Sequence, residues 1–281
     1  MGQDSKIQWT THTGNLWWGC VHVHAGCDAC YAEAWSKRFD DGKTLWGKDA
    51  PRREILSVWK DLVRYQKLAK EAGEIHRVFV GSMMDIFEKP MPLIYKGVST
   101  GEDTGVLRSK LFQHIDNGDY PNLLFLFLTK RPSNINKYIP ESWRKNPPAN
   151  VMFGTSPVDQ ATADTLIPQL LRVNGKRFLS VEPQLAELSL SEYLWQPEDY
   201  CEECGSGGTY LKKPCDNLCG FKPIFWIING GESGPHKRPF NVEWARKLKA
   251  ECELARVPYF FKQIDKIQPI PEDLQIREFP S

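Results

Sequence analysis

Three cysteines stand near the N-terminus in the run Gly19-Cys20-Val21-His22-Val23-His24-Ala25-Gly26-Cys27-Asp28-Ala29-Cys30-Tyr31. Their spacing is Cys-x6-Cys-x2-Cys, with a glycine before each of the first two. Three thiolates on one loop can hold three corners of a [4Fe-4S] cube, whereas complete cysteine ligation takes four. The fourth iron is then open to a substrate or cosubstrate, which a closed four-cysteine site does not permit. The same residues also suit zinc, with His22 or His24 as fourth ligand, or three unrelated buried thiols. Spacing alone leaves these three readings open.

A second group is Cys201-Glu202-Glu203-Cys204 with Cys215-Asp216-Asn217-Leu218-Cys219, a Cys-x2-Cys-x10-Cys-x3-Cys set among glycines. Four thiolates at this spacing predict a closed tetrahedral zinc site with a structural role, and a second iron–sulfur cluster is the alternative. The set falls between two apolar runs, so residues 195–222 read as a small module inserted in a loop. Tyr210, Lys212 and Lys213 between the pairs suit nucleic-acid contact or a solvated hairpin tip. Cys252 shares a helical face with Ala245 and Leu248 and reads as a buried core thiol. Eight cysteines, seven of them in two clusters, point to metal binding in a reducing, cytoplasmic setting rather than a secreted disulfide scaffold.

The elements that must position these groups follow from length and patterning. The chain has 281 residues and 41% hydrophobic content, enough for one large domain. A formal net charge of +1 gives no whole-protein signature for a polyanion. No secretory signal, long apolar span or lipidation motif is evident, so no membrane partner is expected. Ile7-Gln8-Trp9-Thr10 reads as a short strand leading into the cysteine loop. Tyr31 to Phe39 then reads as helix. Ile55, Val58, Trp59, Leu62 and Ala69 give the stretch from Glu54 to Ala72 an amphipathic helical face, ended at Gly73.

Short apolar runs then recur at Arg77–Gly81, Asn122–Leu128, Asn150–Gly154, Arg177–Val181, Pro223–Asn229 and Val257–Lys262. Between them lie helical stretches: Leu107–Asn117, a segment from Pro132 to Tyr138, Ala161–Val173 split by Pro168, and a helix capped by Asn241 that runs to about Ala255. Continuous apolar strands alternating with helices imply parallel pairing and βαβ units. The fold class is α/β, a single domain over residues 1–281. Periodicity fits a partial or complete barrel and equally a doubly wound open sheet.

In α/β barrels chemistry sits at the carboxyl ends of the strands. Those ends carry Ser82 and Asp85, then Thr129, Lys130 and Arg131, then Thr155 and Ser156, then Glu182, then Gly230, Gly231, Glu232 and Ser233, and last Lys262 and Gln263. A lone charge after a strand is usually just solvated. The set as a whole places polar groups on one rim, with the cysteine loop beside them.

The cysteine run followed by Tyr31-Ala32-Glu33 resembles the three-cysteine loop of the radical S-adenosylmethionine (SAM) superfamily. More closely, it resembles a phage-associated three-cysteine-motif family within it. Val80-Gly81-Ser82-Met83-Met84-Asp85, Leu128-Thr129-Lys130-Arg131-Pro132, Val181-Glu182-Pro183 and Gly230-Gly231-Glu232-Ser233-Gly234-Pro235 carry the likeness, over about residues 6 to 264. Two features depart from the superfamily's commonest pattern: a first gap of six residues, and Ala29 where an aromatic is usual.

The resemblance implies a partial (β/α) barrel of the radical SAM type with a small four-cysteine insert. It also implies a [4Fe-4S] cluster on Cys20, Cys27 and Cys30, with SAM chelating the open iron. Reductive cleavage would give methionine and a 5′-deoxyadenosyl radical that removes hydrogen from a substrate. Gly230-Gly231-Glu232, with Ser233, is similar to the element that receives the SAM amino group, although it follows a late strand; Asp85 holds the early position. Lys130, Arg131 or Arg238 would pair the SAM carboxylate, and Glu182 would accept from the ribose diol. An electron donor is the implied partner. The substrate is not specified, and nucleic-acid modification or repair is one candidate. A non-catalytic metal-stabilised nucleic-acid-binding protein is the alternative. Neither reading sets the oligomeric state.

Overall fold

Each apolar run of the sequence becomes one strand in the computed structural model, which describes residues 2–39, 44–194, 224–234 and 236–280. In chain order the elements are β1 (His12–Gly14), β2 (Trp17–Trp18), α1 (Tyr31–Ser36), β3 (Arg52–Glu54), α2 (Ser57–Ala72) and β4 (His76–Val80). They continue with β5 (Pro92–Tyr95), β6 (Val98–Asp103), α3 (Thr104–Asp116), β7 (Leu123–Thr129), α4 (Ile135–Tyr138), α5 (Glu141–Lys145), β8 (Val151–Thr155) and α6 (Gln160–Leu171). The last are β9 (Lys176–Val181), α7 (Ser191–Leu194), β10 (Ile224–Gly230), α8 (Val242–Ala255) and β11 (Tyr259–Gln263).

Seven strands pair in the order β1-β4-β7-β8-β9-β10-β11, every pair parallel. The sheet curls into a half barrel, which settles the choice against a flat doubly wound sheet. Alternate residues divide between its two faces. Phe79, Leu126, Met152, Phe178, Trp226, Ile228 and Phe260 fill the concave face with Trp9, while the larger cluster lies under the helices. Removing each such side chain from water contributes roughly 1.5–3 kcal/mol. That burial explains why these strands appear as unbroken apolar runs instead of alternating ones.

Local chemistry sets the helix ends. Asn241 accepts from the Glu243 N–H at the start of α8, and Asp159 and Thr162 form a reciprocal capping box on α6. Gly73 closes α2 in the left-handed region.

Two expectations are corrected, and one feature is new. The first strand is His12–Gly14, not Ile7–Thr10. Trp9 is pulled into the barrel interior, its ring 4.6 Å from Phe79, and the Thr10 hydroxyl bonds the Arg77 carbonyl and the Phe79 N–H, so this segment plugs the barrel and pairs with no strand. Pro168 does not split α6, which runs through it; the carbonyl it leaves without a helical partner belongs to Asp164, which is exposed. A side sheet in the order β2-β3-β5-β6 was not anticipated, because β6 is solvent-exposed and carries no apolar pattern. Cys252 is fully buried on α8 beside Ala245 and Leu248, as expected. The insert at 195–222, with Cys201, Cys204, Cys215 and Cys219, lies outside the described residues. Among the described residues no helix is long and apolar enough to cross a membrane.

Candidate active site at the carboxyl rim of the barrel

The cysteine loop leaves the top of β1 through β2 and returns at α1, so it must lie across the carboxyl ends of the strands. Its entry is fixed by backbone. The Gly19 N–H donates to the Met83 carbonyl after β4, and the Gly47 N–H donates to the Cys20 carbonyl. Gly19 has φ +117°, and a Cβ there would stand 2.4 Å from the Leu45 carbonyl oxygen, so only glycine fits before Cys20. Behind it, Arg52 and Glu88 form a fully buried fork, 2.7 and 2.9 Å, and Arg52 also ties down the carbonyls of Leu45 and Ala50.

Two arginines hold the loop from opposite sides. Arg131, at the end of β7, donates to Asp85 at 2.6 Å and to the Val21 carbonyl at 2.9 Å, and its Nη1 lies 3.9 Å from the Cys20 sulfur. Asp85 is buried and its lone pairs are filled: Thr129 Oγ1 (2.7 Å), the Phe87 N–H (3.0 Å) and the Lys130 N–H (3.2 Å) donate to it as well. From the other side Arg238 grips Glu232 through its backbone N–H, Nε and Nη2, and reaches the Ala25 carbonyl at 3.0 Å and Asp28 at 3.6 Å.

Cys20, Cys27 and Cys30 line one cavity of about 260 Å³ with Asp85, Lys130, Arg131, Glu182, Gly231, Glu232 and Ser233. Gly230 lies one residue down the strand and does not reach the cavity. The Gly230-Gly231 pair serves close packing and not a tight turn: a Cβ on Gly231 would stand 2.2 Å from the Ile264 carbonyl oxygen. Glu182 is ion-paired with Lys262, which also lines the cavity. Lys130 and Lys266 on the wall have no carboxylate partner among the described residues. Sequence reasoning passed over Lys266 and Trp46; both sit in irregular segments without a strand end to flag them.

The electrostatics follow the geometry. Burial, with Asp85 and Glu88 nearby, pushes the Cys20 thiol up to about 12 against the pull of Arg131, and burial raises Cys30 too. Burial alone would raise the Glu232 carboxyl, but its hydrogen bonds from Arg238 outweigh that and hold it below the usual range.

The donor set suits a cluster better than zinc with histidine. His22 Nε2 is turned to Glu33 at 2.8 Å. His24 Nδ1 accepts from the Gly26 N–H, and burial lowers its pKa to about 4. The His24 Nε2 is buried without a hydrogen-bond partner among the described residues, but neither imidazole lines the cavity that the three thiols share. Among the described residues no three His, Cys, Asp or Glu side chains are already gathered as a metal-ligand group. The three thiols nevertheless open on one space. Ser156 Oγ faces that space too, buried and without a hydrogen-bond partner, as a site that takes a polar ligand would leave it.

A sequence model of the family described as "Protein of unknown function (DUF5131)" matches residues 4–273. No curated protein matches the sequence. Among solved structures, a spore photoproduct lyase variant is similar with a TM-score of 0.52 and 12% identity, over 94% of this chain and 79% of that one. A second variant of the same lyase gives 0.49 and 12%, over 93% and 78%. The first likeness shows the fold: a partial (β/α) barrel, as in radical SAM enzymes.

Proposed function

The chain belongs to the family described as proteins of unknown function, DUF5131, and we propose that it is a radical SAM enzyme acting at the cavity beneath the cysteine loop. One observation carries this reading. Three thiols of one short loop open onto the same cavity as the polar carboxyl ends of six parallel strands, β4 and β7 to β11, in the partial-barrel fold that the structural neighbour shares.

In this reading Cys20, Cys27 and Cys30 hold a [4Fe-4S] cluster. When bound, the cluster with SAM supplies reductive cleavage of the sulfonium and a 5′-deoxyadenosyl radical. The loop between β2 and α1 holds one short 3-10 turn at Ala25–Cys27 and no strand, so the thiols can converge without breaking a sheet. Arg131 fixes the Val21 carbonyl beside Cys20 and Arg238 fixes the Ala25 carbonyl beside Cys27. Asp85, whose acceptors are filled, positions Arg131 and leaves the SAM amino group to the Gly231-Glu232-Ser233 wall. Lys130 is the cation for the SAM carboxylate. Ser156 and Glu182 are hydrogen-bonding groups for the ribose. The apolar floor of Trp9, Phe79 and Met84 keeps water from the reacting space. A structural zinc on Cys201, Cys204, Cys215 and Cys219, and an external reductant, complete the proposal. The structural neighbour is named for acting on a photoproduct, and a nucleic acid is the substrate class we carry to this chain.

The test is made on anaerobically reconstituted protein. Electron paramagnetic resonance of the dithionite-reduced sample should change on adding SAM, with 5′-deoxyadenosine formed in the same tube, and Cys27→Ala should lose both. Iron without a SAM response would make the chain a SAM-independent cluster protein. Zinc alone after iron reconstitution would overturn the enzyme reading.

A further inference from the structure

Among the described residues, the carboxylates on the cavity wall are each clasped by a cation: Asp85 by Arg131, Glu182 by Lys262 and Glu232 by Arg238. Two cations of the wall are left, Lys130 and Lys266, with no carboxylate bonded to either among the described residues. They stand apart. Lys130 follows β7 and Lys266 follows β11, with β8, β9 and β10 between those strands. Lys130 acts electrostatically on Cys30 and His24, whereas Lys266 feels Lys262 and Glu182. SAM carries a single anionic group, its carboxylate, and the proposed function gives that group Lys130 beside the cysteines. Lys266 is left for an anion that the cofactor does not supply.

The loop that carries Lys266 is a closed turn. Asp265 accepts the Ile267 and Gln268 N–H groups at 2.8 and 2.7 Å and the Gln268 side chain at 3.1 Å, and Lys237 lies 3.3 Å from it. Its oxygens are taken, so Lys266 gains no bond from its neighbour. The lysine sits at φ +70°, in the left-handed region that residues with side chains rarely adopt. Such backbone persists where the surrounding structure holds it, as this turn does, and it gathers at ligand clamps. Loss of solvation on the wall holds the Lys266 ammonium below the usual lysine range, with Lys262 adding to the effect and Glu182 opposing it. Two ammonium groups thus share one carboxylate, and an arriving anion would offset both their repulsion and the lost solvation. Both are compact point charges, which suit the tetrahedral oxygens of a phosphate; a planar carboxylate is better met by a guanidinium fork.

We propose that Lys266, with Lys262 beside it, forms an anion subsite that takes a phosphate of a nucleotide-containing substrate at the β11 side of the cavity. This deepens the proposed function by placing a charged group of its nucleic-acid substrate, and it rests on that reading for the occupant. Binding at the subsite does not require SAM cleavage.

The test is fluorescence anisotropy on the anaerobically reconstituted protein, with a labelled oligothymidylate over a series of salt concentrations. The wild type should bind, with log affinity falling linearly against log salt. Lys266→Met should weaken binding about tenfold at low salt. It should also lower the steepness of the salt dependence by about 0.7, the mark of one lost phosphate contact on a single strand. Lys266→Arg should keep both. An unchanged salt dependence in Lys266→Met would overturn the subsite, whether or not affinity fell, and so would no binding by the wild type. Thymidine 5′-monophosphate, thymidine and a longer unlabelled strand serve as competitors. Displacement by the monophosphate assigns the site to the phosphate of a free nucleotide, and displacement by the longer strand alone assigns it to a polymer backbone. Thymidine that competes as well as its monophosphate would overturn a phosphate site. 5′-Deoxyadenosine formation is scored separately on the wild type. If it forms without Lys266-dependent binding, the subsite falls and the radical enzyme stands; if it is absent while that binding holds, the reverse is true.

Discussion

The cysteine loop is held at its two ends by the same chemical device, an arginine clasped by a carboxylate, in two different settings. At the Cys20 end the Asp85 and Arg131 side chains are 7 and 14% exposed. At the Cys27 end Glu232 is 6% exposed but Arg238 is 34% exposed. The first clasp sits between strands β4 and β7 and is tied into the backbone of both. The second closes over six residues of one loop and reaches outward. A charge removed from a buried pair strands its partner in low dielectric, while at the surface water takes the partner's place. The Cys20 end is therefore built as a fixed hinge post and the Cys27 end as a releasable latch.

Asp85→Ala should show the largest effect. It deletes the acceptor of four donors and leaves Arg131 buried and unpaired, a loss of about 3–5 kcal/mol. For a chain of this size that lowers the melting temperature by roughly 10 °C, read by differential scanning calorimetry. Reconstituted iron per chain should fall with it. Arg131→Met should cost less, about 2–3 kcal/mol, because Asp85 keeps Thr129 and two backbone N–H groups. Its mark would be selective: amide exchange at Cys20 to His22 in the metal-free protein should quicken, since the hydrogen bond to the Val21 carbonyl is gone. If Arg131→Met left both stability and that exchange unchanged, the hinge-post description would fail.

Arg238→Ala tests the other end. One arm of the pair is in water, so the expected loss is about 1 kcal/mol. Hydrogen exchange should instead locate the change at Ala25 to Asp28, whose backbone the arginine holds. A melting loss as large as that of Asp85→Ala would erase the distinction between the two clasps.

The sequence made the barrel readable because its strands are buried on both faces, so Val78 to Val80, Leu123 to Leu128 and Phe178 to Val181 appear as unbroken apolar runs. Where burial is met by hydrogen bonds the signal vanishes. His12, Thr13 and Gly14 form the first strand, yet Ile7 and Trp9 look more strand-like because their apolar groups fill the barrel interior. The exposed strand Val98–Asp103 left no pattern to find. At the site, the strand ends gave away which residues gather, since polar groups after an apolar run have few other places to go. Their pairing was not legible. Asp85 meets Arg131 across 46 positions and Glu182 meets Lys262 across 80, contacts that only the order of strands creates. The four-cysteine group at 201–219 keeps its clear spacing signal, and its reading as zinc is a proposal.

The smallest effect expected is one of pH, and it falls on the latch alone. Glu232 has a folded pKa held below its unfolded value by Arg238, against the opposing pull of burial. The unfolded chain therefore takes up a proton first as pH falls. The clasp's contribution is complete above the ordinary glutamate range near 4.3 and is lost as pH drops through the lower folded value. Exchange at Ala25 to Asp28 should quicken over that acidic window in the wild type, relative to the same amides at Cys20 and Val21. In Glu232→Gln the charge is gone at every pH, so those amides should already exchange quickly at neutral pH with no further acid step. A matching acid step in the variant would assign the titration to another group and leave the latch without its switchable carboxylate.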